Sequence, residues 1–258
     1  MNVLLISAGQ SNSPPVEYTK QRVVTNAIYS SLAGVYWWRW GCTPNQNAQQ
    51  HKRGVWQPIG TKGCYPFTYG DLTLSRESPG WAIPACKTIK DAGHNVAMIT
   101  ANQPGTSLAA DWRASESSGY KLYARLVREV QAAPASQYAP APAKAPTKVF
   151  FIWYQGEADA NDVVQKASYG TNLAAFMSAL RTDLSMPNLH VIICRTSTQS
   201  GQYGADVAAA QDAWVAGDAH ASIVATESYE HIEPHLTNVG ATAFGTTGIG
   251  PAILSLLP

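Results

Sequence analysis

Apolar residues recur along this chain in two rhythms. Five short runs, NVLLIS (2–7), NVAMIT (95–100), KVFFIW (148–153), HVIIC (190–194) and SIVAT (222–226), are nearly continuous in apolar character, the pattern of strands buried on both faces. Between them the apolar positions fall at helical spacing: Tyr123, Leu126, Val127 and Val130, then Leu173, Phe176, Met177, Leu180 and Leu184. ADVAAAQDAWVAG (205–217) ends at Gly217 as a helix would. Strands alternating with helices predict a three-layer α/β/α sandwich around a parallel five-stranded sheet, joined by right-handed crossovers.

Two stretches break this rhythm. Residues 34–80 are rich in aromatic residues, Gly and Pro (YWWRWGC, GVWQPIG, GCYPFTYG), too irregular for a helix and too long for a plain connection, so an elaborated loop over the sheet is expected. Residues 132–148 have the Pro/Ala composition of an extended surface connector without chemistry. No internal repeat occurs at solenoid periods. The expected organisation is one domain over 1–258 carrying that insertion and that connector.

Composition narrows the ligand more than the fold. With 258 residues and 45% hydrophobic content the chain can bury a full α/β core. Lys plus Arg number 18 against 17 for Asp plus Glu, so no net field draws nucleic acid or an anionic membrane, and a neutral or small ligand is expected. No apolar stretch approaches the ~20 residues that span a bilayer. The first strand begins at Met1 without a basic segment ahead of it, which reads as a chain that is not Sec-exported or one that has been trimmed. Cys42, Cys64, Cys86 and Cys194 contain no C-x-x-C pair, against a thiolate metal site; Cys42 and Cys64 share one loop-like region and could pair in an oxidising compartment. Low charge with abundant Ala, Gln and Thr would suit a domain of an extracellular or virion-associated assembly. Nothing in the pattern sets an oligomeric state.

In an open parallel sheet ligands bind beyond the carboxyl ends of the strands, and here those positions are polar. AGQSN (8–12) follows the first run, ANQPGTS (101–107) the second, YQGEAD (154–159) the third and ESYEHIEPH (227–235) the fifth. Four loops thus bring Ser, Gly, Gln, Glu and His to one rim, the set that acyl transfer requires. A Ser hydroxyl needs a His to accept its proton, the His needs a carboxylate to fix its tautomer, and the oxyanion needs N–H donors already in place. Ser11 is the candidate nucleophile, with a helix N-cap as its plainer reading; His235 is the candidate base. Neither G-x-x-x-x-G-K-[ST] nor G-x-G-x-x-G follows any strand, which excludes the common phosphate loops. Zinc on His231 and His235 would need both on one helix face, and Pro234 between them forbids that helix. Trp37, Trp38, Trp40 and Trp56 in the insertion are either a small satellite core under a long loop or a platform for stacking on sugar faces.

In this order the blocks resemble the SGNH (GDSL-like) hydrolase superfamily, and within it the sialate O-acetylesterase and acetylxylan esterase group known as carbohydrate esterase family six. AGQSN resembles the nucleophile block through Ser11, PGTSLAADW (104–112) the block whose Gly105 matches the oxyanion-hole glycine, and HLTNVGATAFG (235–245) the closing block of His235. WYQGEAD (153–159) is the most specific match, since this group carries Gln-Gly-Glu where the wider superfamily carries Asn. The resemblance implies a flavodoxin-like sandwich and a serine esterase that removes O-acetyl groups from carbohydrate without metal or cofactor. Its oxyanion would be held by Ser11, Gly105 and Gln155, with Asn12 and Asp159 bracing the loops. The superfamily's Asp three residues before the catalytic His is here Ile232, so the carboxylate must come from Glu233, Glu157 or, as a weaker choice, Glu230. That departure keeps two other readings open: a non-catalytic carbohydrate-binding module on the same fold, and an esterase for a different acyl substrate.

Overall fold

The computed structural model describes residues 1–10, 34–39, 56–58, 80–115, 121–232 and 234–258. Its centre is a seven-stranded sheet in the order β3-β2-β4-β1-β5-β6-β7. The five strands expected from the apolar runs are β1 (Asn2–Gly9), β4 (Asn95–Asn102), β5 (Lys148–Tyr154), β6 (His190–Cys194) and β7 (Ala221–Val224). They lie side by side and all pair in parallel.

Period-two side-chain alternation sends each strand into two cores at once. Leu4, Ile6, Ile99, Phe151, Trp153, Val191 and Ile193 face one layer, where α2 (Leu122–Ala135), α4 (Val163–Asp183) and α5 (Gly204–Ala216) pack. Val3, Leu5, Val96, Met98, Phe150, Ile152, Tyr154, Ile192 and Cys194 face the other, covered by α1 (Ala82–Asp91) and a helical run of α6 (Asn238–Ala243), a π turn (Phe244–Ile249) and α7 (Gly250–Leu254). Cys86 and Cys194 are buried free thiols in that second layer, and burial pushes Cys86 up to about 12, so both serve as small apolar residues. Cys42 and Cys64 lie outside the described residues. Although α4 has 21 residues, no helix among the described residues is long and apolar enough to cross a membrane.

The structure departs from the sequence pattern in two places. Part of the insertion joins the sheet rather than lying over it: β2 (Tyr36–Arg39) pairs in parallel with β4, and β3 (Trp56–Pro58) adds an antiparallel edge. Trp38 and Trp56 are cross-strand partners with ring centroids 5.6 Å apart. Their indole N–H groups are both used inside the molecule, Trp38 donating to Glu129 Oε2 (3.0 Å) and Trp56 to the Ala133 carbonyl (2.7 Å), both on α2. These two rings therefore pack against the main core rather than forming a separate satellite core, Trp38 buried and Trp56 partly so; Trp40 and the side chain of Trp37 lie outside the described residues. The Pro/Ala stretch is likewise built into the fold. The helix α2 runs through Pro134 to Ala135, and the short α3 (Ala141–Lys144) buries Pro142 and Ala143, with Pro142 at an opening position where no backbone N–H is needed.

Candidate active site

The sheet is extended by one residue beyond its strands: Gln10 N–H donates to the Tyr154 carbonyl and Gln103 N–H to the Gly9 carbonyl, each at 3.0 Å. Three consecutive strands, β4, β1 and β5, are thus each followed by a buried glutamine, Gln103, Gln10 and Gln155. Ser11 and Asn12 come directly after Gln10 and lie outside the described residues.

The loop after β4 is held open where Gly105 lies and tied down on either side. Gly105 has φ +68°, and a Cβ there would meet no atom within 4 Å. A glycine here thus answers to the backbone conformation and not to packing. Around it Thr106 Oγ1 donates to the Gln103 carbonyl (2.7 Å), and Trp112 Nε1 donates to Thr106 Oγ1 (2.9 Å). Trp112 stands edge-on to Trp153 with centroids 5.2 Å apart, so the loop is seated on the aromatic core.

Asp159 is the knot between this loop and the one after β5. Fully buried, its carboxylate accepts from Leu108 N–H (2.8 Å), Ala109 N–H (3.1 Å) and Gln155 Nε2 (2.6 Å). Burial raises its pKa, and these hydrogen bonds oppose the rise. The Gln155 amide nitrogen also donates to the Thr106 carbonyl (3.0 Å) and Gln10 Oε1 (3.3 Å). All three partners are acceptors, which fixes the amide orientation with nitrogen inward. The expectation that Gln155 offers its amide to an oxyanion is thereby corrected: the side chain is fully buried and its N–H groups are spent on the Gly105 loop and Asp159.

Gly156 turns the chain at φ +151°, and a Cβ there would stand 2.2 Å from Thr196 Oγ1 and 2.9 Å from Val207 Cγ1. Gly156→Ala is therefore expected to cost about 3 kcal/mol from steric overlap and backbone strain. In urea the unfolding midpoint falls with an unchanged slope. Beyond this turn Glu157 is 3% exposed. Its charge reaches Cys194 and Tyr169 and helps to keep both protonated.

His235 sits in a two-strand ribbon, β8 (His231–Ile232) against β9 (His235–Leu236). Directly opposed residues in such a ribbon share a face. His231 pairs with Leu236, which enters the core, and His235 pairs with Ile232, which is 55% exposed. The two histidines therefore project from opposite faces, and only His235 is on the face turned away from the core. Among the described residues no group of three His, Cys, Asp or Glu is arranged to hold a metal ion. The ribbon is pinned from behind: Thr237 N–H donates to the Glu230 carbonyl (3.0 Å), Thr237 Oγ1 caps α6 by accepting from Gly240 N–H (3.0 Å), and a Cβ on Gly240 would overlap the Glu230 carbonyl at 2.0 Å. Burial lowers the pKa of His235. Glu230 points to solvent, and Glu233 lies outside the described residues.

Sequence reasoning missed the residues beneath the rim. Tyr169, Thr196 and Gln211 are fully buried and all donate toward the Gln155 carbonyl. Tyr169 extends the apolar stripe of α4 by one turn and Gln211 interrupts an alanine run, the faint signals by which they could have been noticed.

A doubly wound sandwich whose Gly, Glu and His blocks leave the carboxyl ends of a parallel sheet is the architecture of an SGNH-type carbohydrate esterase. Residues 76–249 match the family described as "Carbohydrate esterase, sialic acid-specific acetylesterase", a span that holds the Gly105, Gln155–Glu157 and His235 blocks and begins after Ser11. The chain belongs to that family of carbohydrate acetylesterases, which are carboxylic ester hydrolases.

In sequence it is 44% identical to a probable carbohydrate esterase of Arabidopsis thaliana over 41 residues, a match that spans only 16% of each chain. Among solved structures, a protein from Arabidopsis thaliana superposes with TM-score 0.73 at 19% identity over 98% of both chains. NanS superposes with TM-score 0.65 at 13% identity over 98% of this chain and 96% of its own. A carbohydrate acetylesterase from Xanthomonas citri gives TM-score 0.59 at 16% identity over 95% of this chain and 56% of its own. At these identities the structural likeness speaks for the fold.

Proposed function

We propose that this chain is a serine esterase that removes O-acetyl groups from a carbohydrate through an acyl-enzyme. The observation that supports this reading is that β4, β1 and β5 lie side by side in parallel, so the open Gly105 turn, the strand leading into Ser11 and the buried Glu157 follow adjacent carboxyl ends, while His235 is on the outer face of its ribbon. Ser11 Oγ attacks the ester carbonyl while His235 takes its proton. The backbone N–H groups of Ser11 and Gly105 hold the oxyanion. As the C–O bond breaks, His235 gives the proton to the departing sugar hydroxyl and the acetyl group stays on Ser11. Water, deprotonated by His235, then attacks the acyl carbon, and His235 returns that proton to Ser11 Oγ as the ester bond breaks and acetate leaves.

Glu157 is the carboxylate that orients His235 in this scheme. Supporting it is the place of Glu157, a carboxylate only 3% exposed in the loop that leaves the carboxyl end of β5, the strand beside β1. Because burial lowers the pKa of His235, the free imidazole stays neutral to lower pH than usual. The acid limb of kcat/KM for p-nitrophenyl acetate is expected below the ordinary imidazole value of 6.5. A limb above it would mean that another group sets the profile.

The reading is tested with a fluorophosphonate probe, mass mapping of the labelled residue, and acetate release from acetylated glycans. Label on Ser11 with acetate release supports it. Glycan binding with neither label nor turnover would instead make this a carbohydrate-binding module, the reading that Ile232 in the usual acid position favours.

A further inference from the structure

A carbonyl with two lone pairs rarely collects three side-chain donors, yet that of Gln155 does. Tyr169 Oη donates to it at 2.7 Å, Gln211 Nε2 at 3.0 Å and Thr196 Oγ1 at 3.3 Å. Thr196 N–H in turn donates to Gln211 Oε1 (2.8 Å), which fixes the orientation of that amide. Gln211 Nε2 also reaches Tyr169 Oη and Thr196 Oγ1, each at 3.1 Å, and Trp153 Nε1 reaches Tyr169 Oη at 3.4 Å. All five residues are fully buried, and burial keeps the Tyr169 phenol protonated and therefore a donor. On the α-carbon side of the same peptide, Thr196 Oγ1 fills the space a Gly156 side chain would take. The Gln155–Gly156 peptide is thus gripped from two directions by α4, α5 and the loop after β6.

We infer that Tyr169 and Gln211 are positioning residues of the esterase: by clamping this peptide they set the direction in which Glu157, one residue past Gly156, presents its carboxylate to His235. One donor would satisfy the buried Gln155 carbonyl; three side-chain donors from three segments go beyond that need and fix the direction of the peptide. Glu157 is one residue beyond the clamped peptide, and its charge is felt both by Tyr169 of the clamp and by the Cys194 thiol in the opposite layer, so a small rotation of the peptide redirects the carboxylate.

This inference rests on the esterase reading and on Glu157 as the partner of His235. Its test uses Tyr169→Phe, which keeps the ring and removes the donor, and Gln211→Met, each alone and with Glu157→Gln. Each single variant is expected to lower kcat about ten- to a hundredfold at nearly unchanged KM. Each should also move the acid limb of kcat/KM to lower pH, as the imidazolium loses its carboxylate. In the Glu157→Gln background the same substitutions should change kcat by less than about twofold, since the group they position is gone. Variants that melt earlier but keep the kcat and pH profile of the wild type, or losses that simply multiply with that of Glu157→Gln, would overturn the inference and leave the esterase reading standing. A wild type without turnover overturns both.

Discussion

Ser11→Ala is expected to lower kcat for ester hydrolysis by about four to six orders of magnitude, with little change in KM for an acetylated glycan and loss of the fluorophosphonate label. The size follows from what the hydroxyl does. Without Oγ no acyl-enzyme forms, and what remains is substrate binding, the Gly105 N–H donor and an imidazole able to activate water, which together leave only a small fraction of the rate. The unchanged KM follows because the ground-state ester needs no covalent bond to Ser11. Steady-state kinetics with acetate detection, alongside a thermal melt to show intact folding, checks both halves. A residual rate within tenfold of the wild type would move the nucleophile elsewhere.

Glu157→Gln is expected to lower kcat by about three to four orders of magnitude, the loss seen when the acid of a triad becomes an amide and the imidazole takes the wrong tautomer. Glutamine fills nearly the same volume in a position only 3% exposed, so the change isolates charge from packing. Glu230→Gln, at a side chain that points to solvent, should cost less than about twofold. Glu233→Gln decides between the two remaining carboxylates. A large loss there with a small one at Glu157 would shift the acid to Glu233, and small losses at both would end the triad assignment.

Much of the fold was legible because both sheet faces are covered by helices. That burial writes near-continuous apolar runs into β1, β4, β5, β6 and β7, and a helix ending at Gly217 into α5. The edge strands β2 and β3 were not legible: with four and three residues in a segment full of Gly and aromatics, they are strands only because β4 offers them a partner. The two-residue strands β8 and β9 are hidden for the same reason. At the rim, polar blocks after apolar runs marked Gly105, Glu157 and His235 as candidates. The direction of an amide is not written in sequence, so Gln155 read as a donor to substrate whereas its N–H groups turn inward to Asp159 and Thr106. Tyr169 and Gln211 lay inside apolar stripes, and only the packing of α4 on α5 brings them together.

The helical run after His235 is packed closely against α1 and the preceding loop. A Cβ on Gly245 would meet the Trp81 carbonyl at 2.1 Å, just as one on Gly240 would meet Glu230. Considered as a sequence of events during synthesis, this contact sets a timetable. The strand leading to Ser11 is made well before the strands β4 and β5 with which it pairs. If His235 is the base, it is held in place only once residues beyond it have been made and docked, and a partly made chain is then expected to carry the Ser11 hydroxyl without its activating imidazole. On the same reading, cleavage of the backbone between Leu236 and Gly250 is expected to abolish hydrolysis, because Leu236, Phe244 and Ile249 of that stretch seat it in the core beneath the sheet.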